Sequence, residues 1–496
     1  MVPEVKRKHA VDPLVLAIDI GSSATRARLY DAAACEIKGV NARVRHTMQG
    51  ADDGTNVCDA AAILGEVEQV VERVLDKAGK LGGRIGGVAM DTFASSLVGV
   101  DAKGTPRTPV YTYADSRPAP QVAALRERFD ERSVQQRTGA RFHASYLPAR
   151  FLWLKERQPQ ALNESKYWLS LGEFVYLHLL GQRAVSFSTA AWTGLLNRRG
   201  LAWDEDLLGA LPIDPASLSP LHDTSEPLRG LSKTYARRWP ALKNAAWFPA
   251  VADGFSSNVG SAALDGRTLA LSLGTSGAVR ALLERVPDVP EGLWCYAVDR
   301  RRSLLGGALN DGGRAIAWLR GVLALPPVDQ LGAVITAPPS ATTPVVLPFL
   351  TGERSPGWAS QATASFSGMD LRSDAAAIFR GMLEGIAARL AAITVQVRSV
   401  SQEAAGIVAS GGALEDLPAW LQIIADVTGL PCTLSGEGQT TMLGTAHIAL
   451  DVLAPEVRRA EPLLAERFEP NSQHAAAYKA MVERVEDAYR RLIVQT

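Results

Sequence analysis

At 496 residues the chain is too long for one hydrophobic core and long enough for two or three domains of ordinary size. With 47% hydrophobic and 21% charged residues it has the composition of a folded globular protein, without the bias of a disordered one. Its 52 basic residues balance its 52 acidic ones, so no net field draws in nucleic acid or an acidic membrane surface, and small molecules are the expected partners.

In chain order, Met1 to Asp12 is polar, carries Lys6, Arg7 and Lys8, and lacks the apolar core of a signal peptide. Next comes LVLAIDIGSSATRARLYD (14–31), read as a hairpin of strands Val15 to Ile20 and Ala24 to Tyr30 around a glycine turn. Ala60 to Gly79 follows as a helix, with Leu64, Val67, Val70, Val71, Val74 and Leu75 at helical spacing. RIGGVAMDT and SSLVGVDAKG read as strands, the second closing in a turn at Asp101 to Gly104. Phe142 to Trp203 is rich in Trp and Leu and mixed in pattern. Near AAWFPAVADG, Pro249 interrupts the pattern and divides the chain into domains at 1–247 and 248–496.

The second half restates the first. RTLALSLGTSGAVRALLE (267–284) gives strands Leu269 to Leu273 and Ala278 to Leu283, and DGGRAIAWLRGVL is the helix after them. Ala375 to Val400 is a longer helix with Ile378, Met382, Ile386, Leu390, Ile393 and Val397 on one face. GIVASGG is a strand entering a glycine loop, and LPAWLQIIADVTG is the next helix. Cys35, Cys58, Cys295 and Cys432 are scattered without CxxC or metal-ligand spacing, which fits a reducing compartment, and no apolar run approaches the roughly 20 residues of a membrane span. A cytoplasmic protein is expected.

Each hairpin tip carries a glycine and two hydroxyls: Gly21, Ser22 and Ser23 in one, Gly274, Thr275 and Ser276 in the other. Backbone N–H groups and hydroxyls are good phosphate ligands, so two such tips on opposing domains can grip one polyphosphate. A Gly-Ser turn that merely closes a hairpin is the alternative. Asp19 precedes the first glycine, where a carboxylate would repel phosphate unless a cation such as Mg²⁺ lay between them, held directly or through water; otherwise it is a turn-forming Asp.

The pairing of IDIGSSATRARLYD with LSLGTSGAVRALLE, followed by LPFLTGERSP and ASGGALEDLPAWLQIIADVTGLP, resembles the FGGY family of carbohydrate kinases, in the superfamily of actin, hexokinase and the heat-shock ATPases. The resemblance covers nearly the whole chain. YTYADSRP, RTGARFHASYLPARFLWL, YWLSLGEF and AAWTGLLNRRGLAWD look most like its gluconokinase-type branch. It implies an α/β protein of two ribonuclease-H-like, actin-like ATPase domains facing a central cleft, with ATP mainly on the C-terminal one.

Carried over by position, the resemblance makes Asp19 the metal-associated carboxylate and Gly21, Ser22 and Ser23 the first phosphate loop. Arg26 is then a basic residue neutralising the transferred phosphoryl group, and Gly274 and Thr275 the second loop. Gly312 and Gly313, with Gly411, Gly412 and Ala413, flank the ribose and adenine. Asp253 matches the catalytic base that takes the sugar hydroxyl's proton, with a helix N-cap as the structural alternative.

Asp115 and Arg117 match the sugar-contacting tripeptide, against a surface ion pair, and His143 is a further substrate candidate. If the substrate is an acid, Arg117, Arg141 and His143 are the nearest cations in sequence. Where other branches place a Gln, His or Arg that reaches the sugar, this chain has Phe93, Ala94, Ser95 and Ser96, which argues against glycerol or xylulose. Glu353 and Arg354 read as a structural pair bracing the cleft, with a functional role as the lesser reading.

The expected activity is ATP- and Mg²⁺-dependent phosphorylation of a terminal hydroxyl of an open-chain sugar acid or sugar, D-gluconate to 6-phosphogluconate foremost. A kinase for xylulose, a heptulose or a polyol is the alternative, and an actin-like nucleotide switch the competing class. Monomer and homodimer both stay open.

Overall fold

The computed structural model of the protein describes residues 3–436 and 438–495. It contains two seven-stranded sheets. Both are built around the same three-strand unit. In the first, Leu14–Ile20 runs antiparallel to Ala24–Tyr30 and parallel to Ile85–Thr92. In the second, Thr268–Leu273 runs antiparallel to Gly277–Leu283 and parallel to Gly406–Ser410. A fourth strand extends each unit antiparallel to the hairpin, Glu36–Arg45 in one and Ser303–Leu309 in the other.

Leu14–Ile20 is buried along its whole length, as expected of a strand covered on both faces. Its even positions, Leu14, Leu16, Ile18 and Ile20, pack with Ile63, Val67, Val70 and Val74 of the helix Ala60–Ala78, which Asp59 caps by accepting from the N–H groups of Ala61 and Ala62. Its odd positions, Val15 and Ala17, pack with Met442, Ala446, Ala449 and Leu450 of the helix Thr440–Leu453. The two-residue period of the strand therefore carries Asp19 onto the face covered by a helix from the far end of the chain. Asp91 shares that face, because Ala89 packs in the same cluster and Asp19 is registered beside Asp91.

The helix Asp253–Gly260 lies against Thr440–Leu453 so closely that a Cβ on Gly260 would strike the Thr440 carbonyl, and one on Gly444 would strike the Ser256 carbonyl. The first sheet reaches further along the chain than residue 247, because Val251–Ala252 still pairs in parallel with Ile85–Thr92. The C-terminal core gathers around the 26-residue helix Ala375–Val400, with the Trp420 indole N–H donating to the Leu383 carbonyl at 3.1 Å. Among the described residues, no helix is long and apolar enough to cross a membrane.

Candidate active site

The first hairpin tip exposes Ser22 and Ser23, while Gly21 N–H donates to the Ala24 carbonyl at 3.1 Å. His46 holds the turn from behind: one ring nitrogen lies 2.9 Å from the Gly21 carbonyl and the other 2.8 Å from Glu66. Across the strand pair, Arg26 Nη1 donates to Asp19 Oδ2 at 2.6 Å. On the other side of Asp19 stands Asp91, fully buried, which accepts from the Thr445 hydroxyl at 2.6 Å through Oδ2 and whose Oδ1 has no hydrogen-bond partner. Burial, reinforced by the charge of Asp19, holds the Asp91 carboxyl well above the usual carboxylate range.

The second tip is built with the nucleotide-side glycines. Gly313 N–H donates to the Gly274 carbonyl at 2.7 Å, and Gly312 N–H to the Thr275 carbonyl at 3.0 Å. A Cβ on Gly313 would lie 2.9 Å from that of Ala413, and one on Gly411, whose φ is +110°, would lie 2.6 Å from the Leu273 carbonyl oxygen. Gly274, Thr275, Gly312, Gly313, Gly411, Gly412 and Ala413, spread over 140 residues of sequence, are thus drawn into one rim. Ser272 and Ser410 occupy in the second sheet the positions of Asp19 and Asp91 in the first.

Asp253 opens its helix half-buried, and its Oδ1 accepts from the adjacent Gly254 N–H at 2.7 Å. The residue before the helix is Ala252, which makes no side-chain cap, and Asp253 does not reach on to the later N–H groups that a cap would satisfy. Burial raises its carboxyl to about 6, the Asp19 charge adds to the rise, and Arg280 of the second hairpin opposes it. Both hairpins therefore act electrostatically on Asp253. Tyr113 belongs to the same neighbourhood: the Asp253 charge bears on its hydroxyl, while its ring is exposed and lies 6.2 Å from that of Phe93.

Asp115 is fully buried, gripped by Arg117 through two bonds of 3.0 and 2.5 Å, with the fully buried Arg150 at 3.6 Å. It is not a surface ion pair, and its oxygens are already occupied by guanidinium groups. Arg117 lies over the Trp153 ring at 4.6 Å. His143 is driven down to about 3 by burial, with Arg354 and Arg126 adding to the fall, so it is a neutral ring rather than a cation. Arg141 is paired with Glu131 at 2.7 Å.

The expected Glu353–Arg354 pair does not form. Glu353 instead accepts from Arg389 and from the Tyr489 hydroxyl, each at 2.6 Å, because its side chain turns into the core between the helices Ala375–Val400 and Ala475–Tyr489. Phe93, Ser95 and Ser96 are internal, Ser95 donating to the Trp192 carbonyl at 2.6 Å and Ser96 accepting from Leu171 N–H at 3.0 Å. Sequence reasoning did not single out Asp91 or Tyr113. The signal for Asp91 was an acidic residue ending an apolar strand, and for Tyr113 an aromatic two residues before Asp115.

Two sheets that repeat one hairpin-plus-parallel-strand unit are those of the actin-like ATPase fold. Residues 14–260 match the N-terminal domain of the FGGY family of carbohydrate kinases, and residues 269–450 match its C-terminal domain. The chain belongs to that family, and it is a sugar kinase.

Over 449 residues it is 23% identical to the gluconokinase of Bacillus subtilis, covering 88% of this chain and 87% of that protein. It is 26% identical over 421 residues to the xylulose kinase of Escherichia coli, covering 82% and 84%. In fold it is similar to the crystal structure of gluconate kinase from Lactobacillus acidophilus, with a TM-score of 0.89, 24% identity, and 97% and 98% of the two chains covered. The ligand-bound xylulose kinase of the same organism is as similar, with a TM-score of 0.89 and 24% identity over 98% of each chain.

Proposed function

We propose that this kinase uses ATP and Mg²⁺ to phosphorylate the terminal hydroxyl of an open-chain sugar acid, converting D-gluconate to 6-phosphogluconate. The observation that carries the transfer chemistry is Asp253, whose carboxyl is raised to about 6 in the combined field of Asp19 from one hairpin and Arg280 from the other. A base with that affinity is ionised at neutral pH and still accepts a proton readily as the hydroxyl oxygen bonds to the γ-phosphorus. The proton passes to Asp253, the bond from the γ-phosphorus to the bridging oxygen breaks, and ADP leaves.

Gly21, Ser22, Ser23, Gly274 and Thr275 offer N–H and hydroxyl groups to the phosphates, and Arg26 offers positive charge. Gly312, Gly313, Gly411, Gly412 and Ala413 are the rim for ribose and adenine. Asp19 presents the hard carboxylate oxygen that Mg²⁺ takes, directly or through water. Mg²⁺ bound there would offset the phosphate charge. The likeness to gluconokinases supports the acid as substrate, and the Phe93–Ser96 segment argues against glycerol or xylulose without arguing for gluconate; the likeness to xylulose kinases supports a second reading, a neutral ketose at the same base.

³¹P and ¹³C NMR of the product tests the assignment. Phosphate on C6 of gluconate is the expected result, whereas no phosphogluconate beside rapid phosphorylation of xylulose would give the second reading the site.

A further inference from the structure

One residue just past the first hairpin ties down its tip. The pairing of Ala24–Tyr30 with Glu36–Arg45 ends where Ala24 stands opposite Arg45, so the next residue, His46, falls beside Ser23, and its backbone N–H donates to the Ser23 carbonyl at 3.2 Å. The ring turns back along the loop and sets Nε2 2.9 Å from the Gly21 carbonyl oxygen. A carbonyl only accepts, so Nε2 carries a proton. Nδ1 lies 2.8 Å from Glu66 Oε2, and the Thr25 hydroxyl donates to that same oxygen at 2.8 Å. Glu66 belongs to the helix Ala60–Ala78, whose Ile63, Val67 and Val70 are locked into the core. The His46 and Glu66 side chains are only 8% and 15% exposed, so these bonds are shielded from water.

A loop that offers N–H groups to phosphate must keep its carbonyl oxygens, which repel phosphate, turned elsewhere. The Gly21 and Ser23 carbonyls are both taken up by His46, while among the described residues the N–H groups of Ser22 and Ser23 have no hydrogen-bond partner. The second tip meets the same need with backbone alone. Its Gly274 carbonyl accepts from Gly313 N–H at 2.7 Å, and its Thr275 carbonyl from the N–H groups of Gly312 and Arg314 at 3.0 and 3.1 Å.

Resting on the reading of both tips as phosphate loops, we infer that His46 is a positioning residue for phosphoryl transfer. Braced by Glu66 and Thr25, it draws the carbonyls of the first tip back, so that Ser22 and Ser23 turn their N–H groups to the phosphoryl group. The glycines of the ribose and adenine rim follow strands of the second sheet, Ser303–Leu309 and Gly406–Ser410, so the effect of His46 falls on transfer rather than on nucleotide affinity.

The test compares His46→Ala and His46→Gln with wild type on the acceptor that wild type phosphorylates fastest. It reads kcat, sugar KM, ADP affinity by calorimetry and melting temperature. His46→Ala frees the Gly21 carbonyl and should lower kcat about 10- to 100-fold, with sugar KM and ADP affinity within about threefold. The amide of His46→Gln can still donate to that carbonyl and should recover most of the loss. Both variants give up the Glu66 bond, so their melting temperatures should fall alike, and kcat alone should separate them. Ser22→Asp tests the underlying reading: Ser22 is exposed, so the fold tolerates the change, but a carboxylate there should repel the phosphates and abolish transfer.

A Ser22→Asp protein as active as wild type overturns the phosphate-loop reading and this inference with it. An inactive Ser22→Asp beside an undiminished kcat in His46→Ala overturns the role of His46 alone. Equal losses of kcat in His46→Ala and His46→Gln do the same, leaving His46 a purely structural residue.

Discussion

Replacing Asp253 with Asn separates catalysis from architecture, because the two roles predict opposite signs. As a base, Asp253 contributes about 10²- to 10⁴-fold to the rate, about 3 to 5 kcal/mol of barrier, which the amide cannot supply. Its cost to the fold is set by the rise of its carboxyl from 3.8 to about 6, which corresponds to about 3 kcal/mol. That figure is already net of the attraction to Arg280. A carboxylate whose folded value is raised destabilises the fold increasingly as pH climbs from about 4 to 6, and the full cost persists above that.

The Asn variant escapes that cost. At pH 8 it should therefore show kcat lower by two orders of magnitude or more, with a denaturant midpoint equal to or above that of wild type. At pH 4 the two midpoints should converge. Wild-type kcat/KM should fall as one proton binds near pH 6. Activity within threefold of wild type, or a midpoint lowered as by the loss of a helix cap, would refute the reasoning.

Glu353→Gln removes the buried one of Arg389's two carboxylate partners, with Glu486 remaining at 2.8 Å, and should cost about 1 to 3 kcal/mol in urea unfolding, more than a cleft-surface pair would. Gly411→Ala forces a side chain into φ +110° and against the Leu273 carbonyl; a loss of at least about 2 kcal/mol and weaker ATP binding by calorimetry are expected. Gly412→Ala, with no protein atom within 4 Å of the added Cβ, should leave the unfolding free energy unchanged. Asp115→Asn, which strands Arg117 and Arg150, should lower the melting temperature more than it alters the KM for the sugar.

The repeated unit was legible because it is local. The apolar runs, glycine turns and helical spacings fall within a few residues of the observed Leu14–Ile20, Gly277–Leu283 and Ala375–Val400. What escaped depends on register between distant strands and helices. Asp91 becomes a neighbour of Asp19 only through the parallel pairing of Leu14–Ile20 with Ile85–Thr92, and Thr445 reaches it from 354 residues away. Glu353 looked paired with its neighbour because adjacency in sequence is visible and Arg389 on a later helix is not. His143 could be named from its motif, but its neutral state depends on burial and on the nearby Arg354, neither of which has a signature in the chain.

The most direct measurement is ADP release with Mg²⁺-ATP across gluconate, xylulose, ribulose, sedoheptulose and glycerol. Turnover with gluconate well above every neutral acceptor, and no release without sugar, is the expected result. Silence on all five, with ATP instead driving assembly of the chain, would contradict it.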